Sequence, residues 1–145
     1  MSGTLFTIGY EAAALPEVIG KLKAAGVGIL VDVRAVAASR RPGFSKTILR
    51  DSLAAEGIGY EHLRGLGTPR SGRDAARKGR IGEMEAIFRA HMETPEAQAE
   101  LARAIAIVRE EKAALLCYEA HASGCHRRIV AEMIQAETGF AVEDL

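Results

Sequence analysis

The residues best suited to chemistry lie close together between positions 115 and 128. This segment, LLCYEAHASGCHRR, contains both cysteines of the chain, two of its four histidines, one glutamate and two arginines. Thiols, imidazoles and carboxyls serve as nucleophiles, as acids and bases, or as metal ligands. The segment begins as an apolar strand, breaks at small residues and resumes as an amphipathic helix. Because ligands of open parallel α/β sheets bind where strands lead into helices, this segment predicts the functional site.

The second half of the segment predicts an anion pocket at the start of a helix. Ser123 is the expected N-cap, which places Gly124, Cys125, His126 and Arg127 in the first turn. Unpaired backbone N–H groups and the positive end of the helix dipole favour an anion there, and they favour the thiolate form of Cys125. Arginine is suited to grip phosphate or carboxylate. The alternative for Cys125 is a buried, inert thiol.

Three residues of the segment are the predicted catalytic groups. Glu119 and His126 are expected to act as acid and base, and Cys125 as nucleophile. For Glu119 an ion pair with Arg127 or Arg34 is an equal alternative.

The cysteines and histidines also raise metal and redox hypotheses. Cys117, His121, Cys125 and His126 are ligand types that zinc accepts, but their spacing matches no common zinc knuckle. The cysteines lack the C-x-x-C spacing of thioredoxin-like redox pairs. Neither is followed by arginine at the C-x5-R distance of cysteine phosphatases. The spacing thus disfavours all three; we predict no metal and no cofactor, with a structural or regulatory zinc domain as an alternative.

The elements that must position these residues alternate between strands and helices. Apolar runs predict strands near 4–8, 27–33, 58–63 and 113–117, with a fifth, edge strand at 140–143. Helical spacing of apolar residues predicts helices over about 15–25, 48–57, 84–91, 95–108 and 124–138. Strands without alternation indicate a parallel sheet covered on both faces. We therefore predict one α/β domain over residues 1–145, with three layers and a mostly parallel sheet of four to five strands.

One segment fits neither pattern. Residues 64–80 are basic and glycine-rich with little periodicity, which predicts a long connection that is functional or mobile.

Parallel strands would bring polar residues to one edge of the sheet. Tyr10 and Glu11, Asp32 and Arg34, and His62 each follow or end a predicted strand, as does the segment from position 117 to 127. Polar residues recurring at four strand ends favour a genuine site at that edge. For His62 a structural role at the strand end is the alternative, and His91 on a helix face is expected to be structural.

Composition places limits on the class of protein. The chain has 145 residues, of which 48% are hydrophobic, and the longest apolar run is far too short to span a membrane. No signal peptide is apparent. We therefore expect a cytoplasmic protein that makes no membrane contact, and two reduced thiols rather than a disulfide framework.

A net charge of zero conceals an asymmetry along the chain. Positions 34–80 carry eleven basic and four acidic residues, a net charge of +7, and the remainder carries −7. A basic middle favours an anionic ligand or partner, with solubilising surface charge as the alternative. A nucleic acid is a second candidate partner, although only Phe44 and Tyr60 supply aromatic rings nearby and no helix-turn-helix or finger signature is present.

Several blocks of the sequence resemble the domain of unknown function 488 family. They are TIGY at 7–10, VDVR at 31–34, SRRPGFSK at 39–46, YEHL at 60–63 with LGTPR at 66–70, and CYE at 117–119 with CHR at 125–127. The blocks occur in family order and cover nearly the whole chain. The resemblance implies a small prokaryotic α/β domain and names no reaction.

The family pattern also implies which positions matter. It favours Gly9, Asp32, Arg34, Arg40, Phe44, His62, Gly67, Arg70, Cys117, Glu119, Cys125, His126 and Arg127. Many relatives resemble T-I-G-H where this chain has Tyr10, so a catalytic histidine is not expected there. His121 does not belong to the pattern, which further disfavours zinc.

These observations lead to one main hypothesis. The protein is expected to bind a phosphate- or carboxylate-bearing small molecule at the carboxyl edge of the sheet, with enzymatic activity left open. The predicted ligand-binding residues are Gly9, Tyr10, Asp32, Arg34, Arg40, His62, Arg70 and Arg127.

Overall fold

The described residues form an α/β fold with a five-stranded, all-parallel sheet and six α-helices. The structure is a computed structural model that describes residues 3–119, 122 and 125–145. The strands are β1 (Thr4–Gly9), β2 (Ile29–Asp32), β3 (Gly59–His62), β4 (Ala113–Cys117) and β5 (Ala141–Asp144). The helices are α1 (Leu15–Ala24), α2 (Lys46–Ala54), α3 (Arg70–Arg77), α4 (Ile81–His91), α5 (Pro95–Glu110) and α6 (His126–Thr138).

The strand order places β4 at the centre of the sheet. The order is β3-β2-β4-β1-β5, so β4 pairs with both β1 and β2, and all pairs are parallel. The chain moves from β1 through β2 to β3 in one direction, then returns to β4 and β5 in the other. Such a reversal creates a crevice at the carboxyl ends of the strands, here around the end of β4.

Two apolar layers cover the sheet. Leu30 and Leu116 face the layer formed by α1 and α2, whereas Val31 and Leu115 face the layer formed by α3 to α6. All five residues of β4 are buried, which explains why its sequence is continuously apolar and does not alternate. The helices lie on the two faces because right-handed crossovers in opposite directions pass over opposite faces.

Local signals mark the ends of several helices. The Thr94 hydroxyl accepts a hydrogen bond from the backbone N–H of Ala97 and caps α5. Gly139 adopts φ 74°, the left-handed conformation that favours glycine, just after α6. None of the described helices is long and apolar enough to cross a bilayer.

Two sequence predictions about the elements were wrong. Residues 64–80 form a short 3-10 turn (Arg64–Leu66) and helix α3 rather than one long connection. Helix α3 buries only Gly72 and Ala75, so it lacks the apolar stripe that reveals a helix in sequence. The predicted cap Ser123, like Gly124, lies outside the described residues, and α6 begins at His126 with Cys125 as its N-cap.

Candidate functional site

A cleft of about 630 Å³ opens at the carboxyl ends of β1, β2 and β4. Its walls come from the residues after β1, the segment after β2, one side of α3 with Met84 of α4, and the residues on either side of the β4–α6 connection. The volume is within the range of small-molecule sites. The strand order explains the position, because the chain leaves β4 over the opposite face from β1 and β2.

The cleft brings together six of the predicted site residues. They are Tyr10, Arg34, Arg40, Glu119, Cys125 and His126. Asp32 and Arg127 are buried beneath it, with exposed fractions of 0% and 1%. Gly9 and His62 are not among the cleft residues, and Arg70 lines a neighbouring depression.

A buried ion pair forms the base of one wall. Arg34 donates from Nε and Nη2 to the two carboxylate oxygens of Asp32, at 2.6 to 3.0 Å, and from Nη1 to the hydroxyl of Tyr10 and the carbonyl of Phe44. Burial alone would lower the pKa of Arg34, but the hydrogen bonds and the charge of Asp32 outweigh it and raise the pKa. Most of the hydrogen-bond donors of this guanidinium are bound to these partners. This favours a structural role, in which Arg34 fixes the position of the cleft wall, over direct contact with a ligand.

Aromatic side chains surround this pair. The Tyr10 ring stacks on Phe44 with centroids 4.2 Å apart, and the Tyr60 hydroxyl donates to Asp32 at 2.5 Å. Burial, together with the nearby charge of Asp32, raises the pKa of Tyr60. His62 donates from Nε2 to the carbonyl of Arg34 at 2.7 Å. The sequence offered no signal for Tyr60, because only the register of β2 with β3 places its hydroxyl at this carboxylate.

Glu119 lies two residues after the end of β4 and lines the cleft. Burial raises the pKa of its carboxyl, and the nearby charge of Glu11 acts in the same direction while Arg127 opposes it. Its backbone carbonyl accepts a hydrogen bond from Nη1 of Arg127. A carboxyl with a raised pKa beside a cleft is a candidate proton donor.

His126 begins α6 and forms part of the same wall. Its Nε2–H donates to the carbonyl of Val33 at 2.7 Å, so in the neutral ring the lone pair is on Nδ1, 3.7 Å from Sγ of Cys125. Burial lowers the pKa of His126 to about 4. The imidazole is therefore neutral near pH 7, with its basic nitrogen directed at sulfur.

The two cysteines meet at the cleft. The structure joins Cys117, the last residue of β4, to Cys125 in a disulfide, so the expectation of two separate reduced thiols was wrong for this structure. The absence of C-x-x-C spacing had argued against a cysteine pair. The fold nevertheless brings the two sulfurs together from the end of β4 and the start of α6. Arg127 donates from Nη1 to Sγ of Cys117 at 3.3 Å and from its backbone N–H to Sγ of Cys125 at 3.4 Å.

The same sulfurs belong to a potential metal-ligand group. The ligand atoms of Cys117, Cys125 and His126 lie within 4.8 Å of one another. His121, the fourth residue of the predicted zinc set, lies outside the described residues. Both sulfurs could ligate a metal only after reduction, so this group remains an alternative for the dithiol form.

The cleft also contains two arginines of α3, which belong to the basic stretch at 64–80. Arg73 and Arg77 line the cleft, as does Tyr118, whose exposed fraction is 44%. A second depression of about 560 Å³ adjoins the cleft, shares Arg73 with it, and adds Arg64 and Arg70. Recognition of α3 in the sequence would have placed these arginines on one side of the site.

Comparison with known proteins identifies the family. The model of a domain of unknown function, DUF488, matches residues 14–134. The chain belongs to the DUF488 family. No curated protein and no solved structure matches the chain.

Two glycines of this DUF488 domain permit close approaches around the cleft. A Cβ on Gly9 would lie 1.7 Å from the carbonyl oxygen of Glu119, and a Cβ on Gly67 would lie 2.3 Å from the backbone of Ala35. Both distances are impossible, so only glycine fits without displacing the neighbouring segment. Gly9 thus holds the Glu119 segment against β1, which differs from the direct ligand contact predicted for it.

Proposed function

We propose that the cleft of this DUF488 protein binds a small molecule carrying a phosphate or carboxylate group. The proposal is carried by the approach of three arginines to one cleft: Arg40 from the segment after β2, and Arg73 and Arg77 from α3. Arg77 is paired with Asp74 at the surface. Within the described part of the chain, neither Arg40 nor Arg73 forms a salt bridge, so both guanidinium groups are available to an anion.

Other residues of the same cleft supply groups for acid–base chemistry on such a ligand. Burial raises the pKa of Glu119, which favours its carboxyl as the group that passes a proton to the ligand. In the reduced protein, Nδ1 of His126 can accept the thiol proton of Cys125, because 3.7 Å separates nitrogen from sulfur and the ring is neutral. Both roles require that the anionic ligand be bound next to Glu119 and His126.

Anion binding is tested by calorimetric titration with orthophosphate, ribose 5-phosphate, AMP and citrate. Each Arg→Ala substitution at positions 40 and 73 should weaken binding about tenfold, because a hydrogen bond to a charged group contributes about 1.5–3 kcal/mol and this cleft is open to solvent. Arg89→Ala is the matched control, since Arg89 is exposed on α4 and is not a cleft residue. Binding of no anion at millimolar concentration, or equal affinity in all variants, would contradict the proposal.

A nucleic acid is the second candidate ligand, favoured by the depression next to the cleft. Arg64, Arg70 and Arg73 line this depression, and the shared Arg73 connects it to the cleft as one basic groove. A single strand that neutralised three arginines would release about two counterions, so log K should fall with log salt at a slope of about −2. Fluorescence anisotropy with a labelled oligonucleotide measures this slope. Retention of affinity in an Arg64→Ala, Arg70→Ala double variant, or absence of binding at low salt, would exclude this candidate.

A further inference from the structure

The only two cysteines of the chain meet at the cleft, although they belong to different elements. Cys117 ends the central strand β4, and Cys125 is the N-cap of α6. Both line the cleft, each with 1% of its surface exposed, and their sulfurs are joined. We propose that they form a reversible dithiol–disulfide couple that exchanges electrons with a low-molecular-weight thiol entering the cleft. This inference does not depend on anion binding.

The first support is the polar surroundings of the two sulfurs. Sγ of Cys117 accepts a hydrogen bond from the guanidinium of Arg127 at 3.3 Å, and Sγ of Cys125 accepts one from the backbone N–H of the same residue at 3.4 Å. A cation and a helix N-terminus both stabilise thiolate relative to thiol. Each sulfur therefore has a donor in position to stabilise the anion that opening of the bond releases.

The second support is a pair of groups that can carry protons. Oε2 of Glu119 lies 3.3 Å from Sγ of Cys117, and Nδ1 of His126 lies 3.7 Å from Sγ of Cys125. At these distances Glu119 can pass a proton to Cys117, and His126 can exchange one with Cys125. A disulfide with a purely structural role would need no proton-carrying groups beside its sulfurs.

The exchange proceeds in two displacements. A small thiolate forms a bond to Sγ of Cys125, the bond between the two cysteines breaks, and Cys117 departs as a thiolate beside Arg127. It then takes a proton that Glu119 relays from solvent. A second small thiolate attacks the small-molecule sulfur of the mixed disulfide, and Cys125 departs as a thiolate that is then protonated. Two small thiols are thereby oxidised to one disulfide, and two electrons and two protons pass to the protein.

The test compares reduction of the folded and the unfolded protein by glutathione. Oxidised protein is incubated with glutathione, quenched with acid, alkylated with N-ethylmaleimide and weighed by mass spectrometry, with and without urea. We expect reduction to be about tenfold faster in the folded state, because Arg127 and the helix stabilise the departing thiolates. A disulfide that glutathione reaches only after the chain unfolds would show the opposite order, and that result would overturn the proposal.

Two further measurements complete the test. Oxidised glutathione should convert the reduced, folded protein from two alkylated thiols to none, and Cys117→Ser should accumulate a mixed disulfide between Cys125 and glutathione. Thiols that stay reduced in excess oxidised glutathione would refute the couple. Metal analysis that finds one equivalent of zinc, with both thiols protected from alkylation, would replace it with a metal site. Because the comparison in urea uses the wild-type chain, a variant that fails to fold does not weaken the test.

Discussion

Acidification should destabilise the protein through His126. Its ring donates to the carbonyl of Val33 and packs against Phe88 with centroids 5.2 Å apart, and burial lowers its pKa from the ordinary 6.5 to about 4. In the unfolded chain the imidazole regains its ordinary pKa. Between those two values the unfolded state binds a proton that the folded state does not, so stability falls as the pH falls through this window.

The magnitude follows from the separation of the two pKa values. Between pH 7 and about pH 4.5 the linkage relation gives about 2.4 kcal/mol, and partial exposure of the ring reduces this to about 2 kcal/mol. Glu119 acts in the opposite sense, because its raised pKa lets the folded state bind a proton more tightly. The change in unfolding free energy between the two pH values therefore includes contributions from several groups, and a variant is needed to isolate that of His126.

His126→Gln provides that isolation. The amide can still donate to the carbonyl of Val33 but does not titrate. Urea unfolding of both proteins at pH 7 and about pH 4.5, in the same cysteine redox state, measures the two losses of unfolding free energy. Wild type should lose about 2 kcal/mol more than the variant. Equal losses would show that His126 is not held as a neutral, buried base, and would remove the reason for assigning its lone pair to the cysteine.

Three further substitutions test the structure around the cleft by urea unfolding. Gly9→Ala should destabilise the protein by at least about 2 kcal/mol, because its Cβ would overlap the carbonyl oxygen of Glu119. The control is Gly20→Ala on helix α1, whose Cβ would meet no atom within 4 Å and which should stabilise the protein by about 0.5–1 kcal/mol. Equal effects of the two substitutions would contradict the close approach at Gly9. Asp32→Asn should cost about 3–5 kcal/mol because it leaves a buried guanidinium without its counter-charge, and a cost under 1 kcal/mol would mean that water reaches the pair. Phe88→Ala removes a ring that is 0% exposed between α4 and the sheet and should cost about 3–5 kcal/mol, unless the surrounding helices collapse into the cavity.

Apolar patterning made the main elements of the fold predictable. Strand β4 is buried on both faces, so its five residues are all apolar and a parallel sheet covered on both faces can be inferred. Helix α5 has a Thr94 cap, a proline in the first turn and a regular apolar stripe. Helix α3 was missed because only Gly72 and Ala75 are buried, and small residues on a basic helix leave no periodic signal.

The sequence indicated where the candidate site lies, but it did not indicate the role of each residue there. Polar residues at the strand ends indicated the carboxyl edge, and Glu119, Cys125 and His126 do lie on one cleft there. Arg34 was expected among the ligand-binding residues, yet its guanidinium is bound to Asp32, Tyr10 and Phe44. Residue type and spacing do not distinguish an arginine that faces a ligand from one that holds a wall.

By itself, the sequence determined that strands and helices alternate and that the sheet is mostly parallel. Burial sets the local spacing of apolar residues: it recurs every three to four residues along a helix and is nearly continuous along a strand that is covered on both faces. Only the tertiary structure decided which strand ends become neighbours. The order β3-β2-β4-β1-β5 puts the end of β4 between β1 and β2, and it brings Gly9 opposite Cys117. The meeting of the two cysteines, the burial of Asp32 with Arg34, and the shifted pKa values of Glu119 and His126 all arise from contacts between distant segments. Desolvation and charge depend on those contacts, so they appear only when the chain is folded.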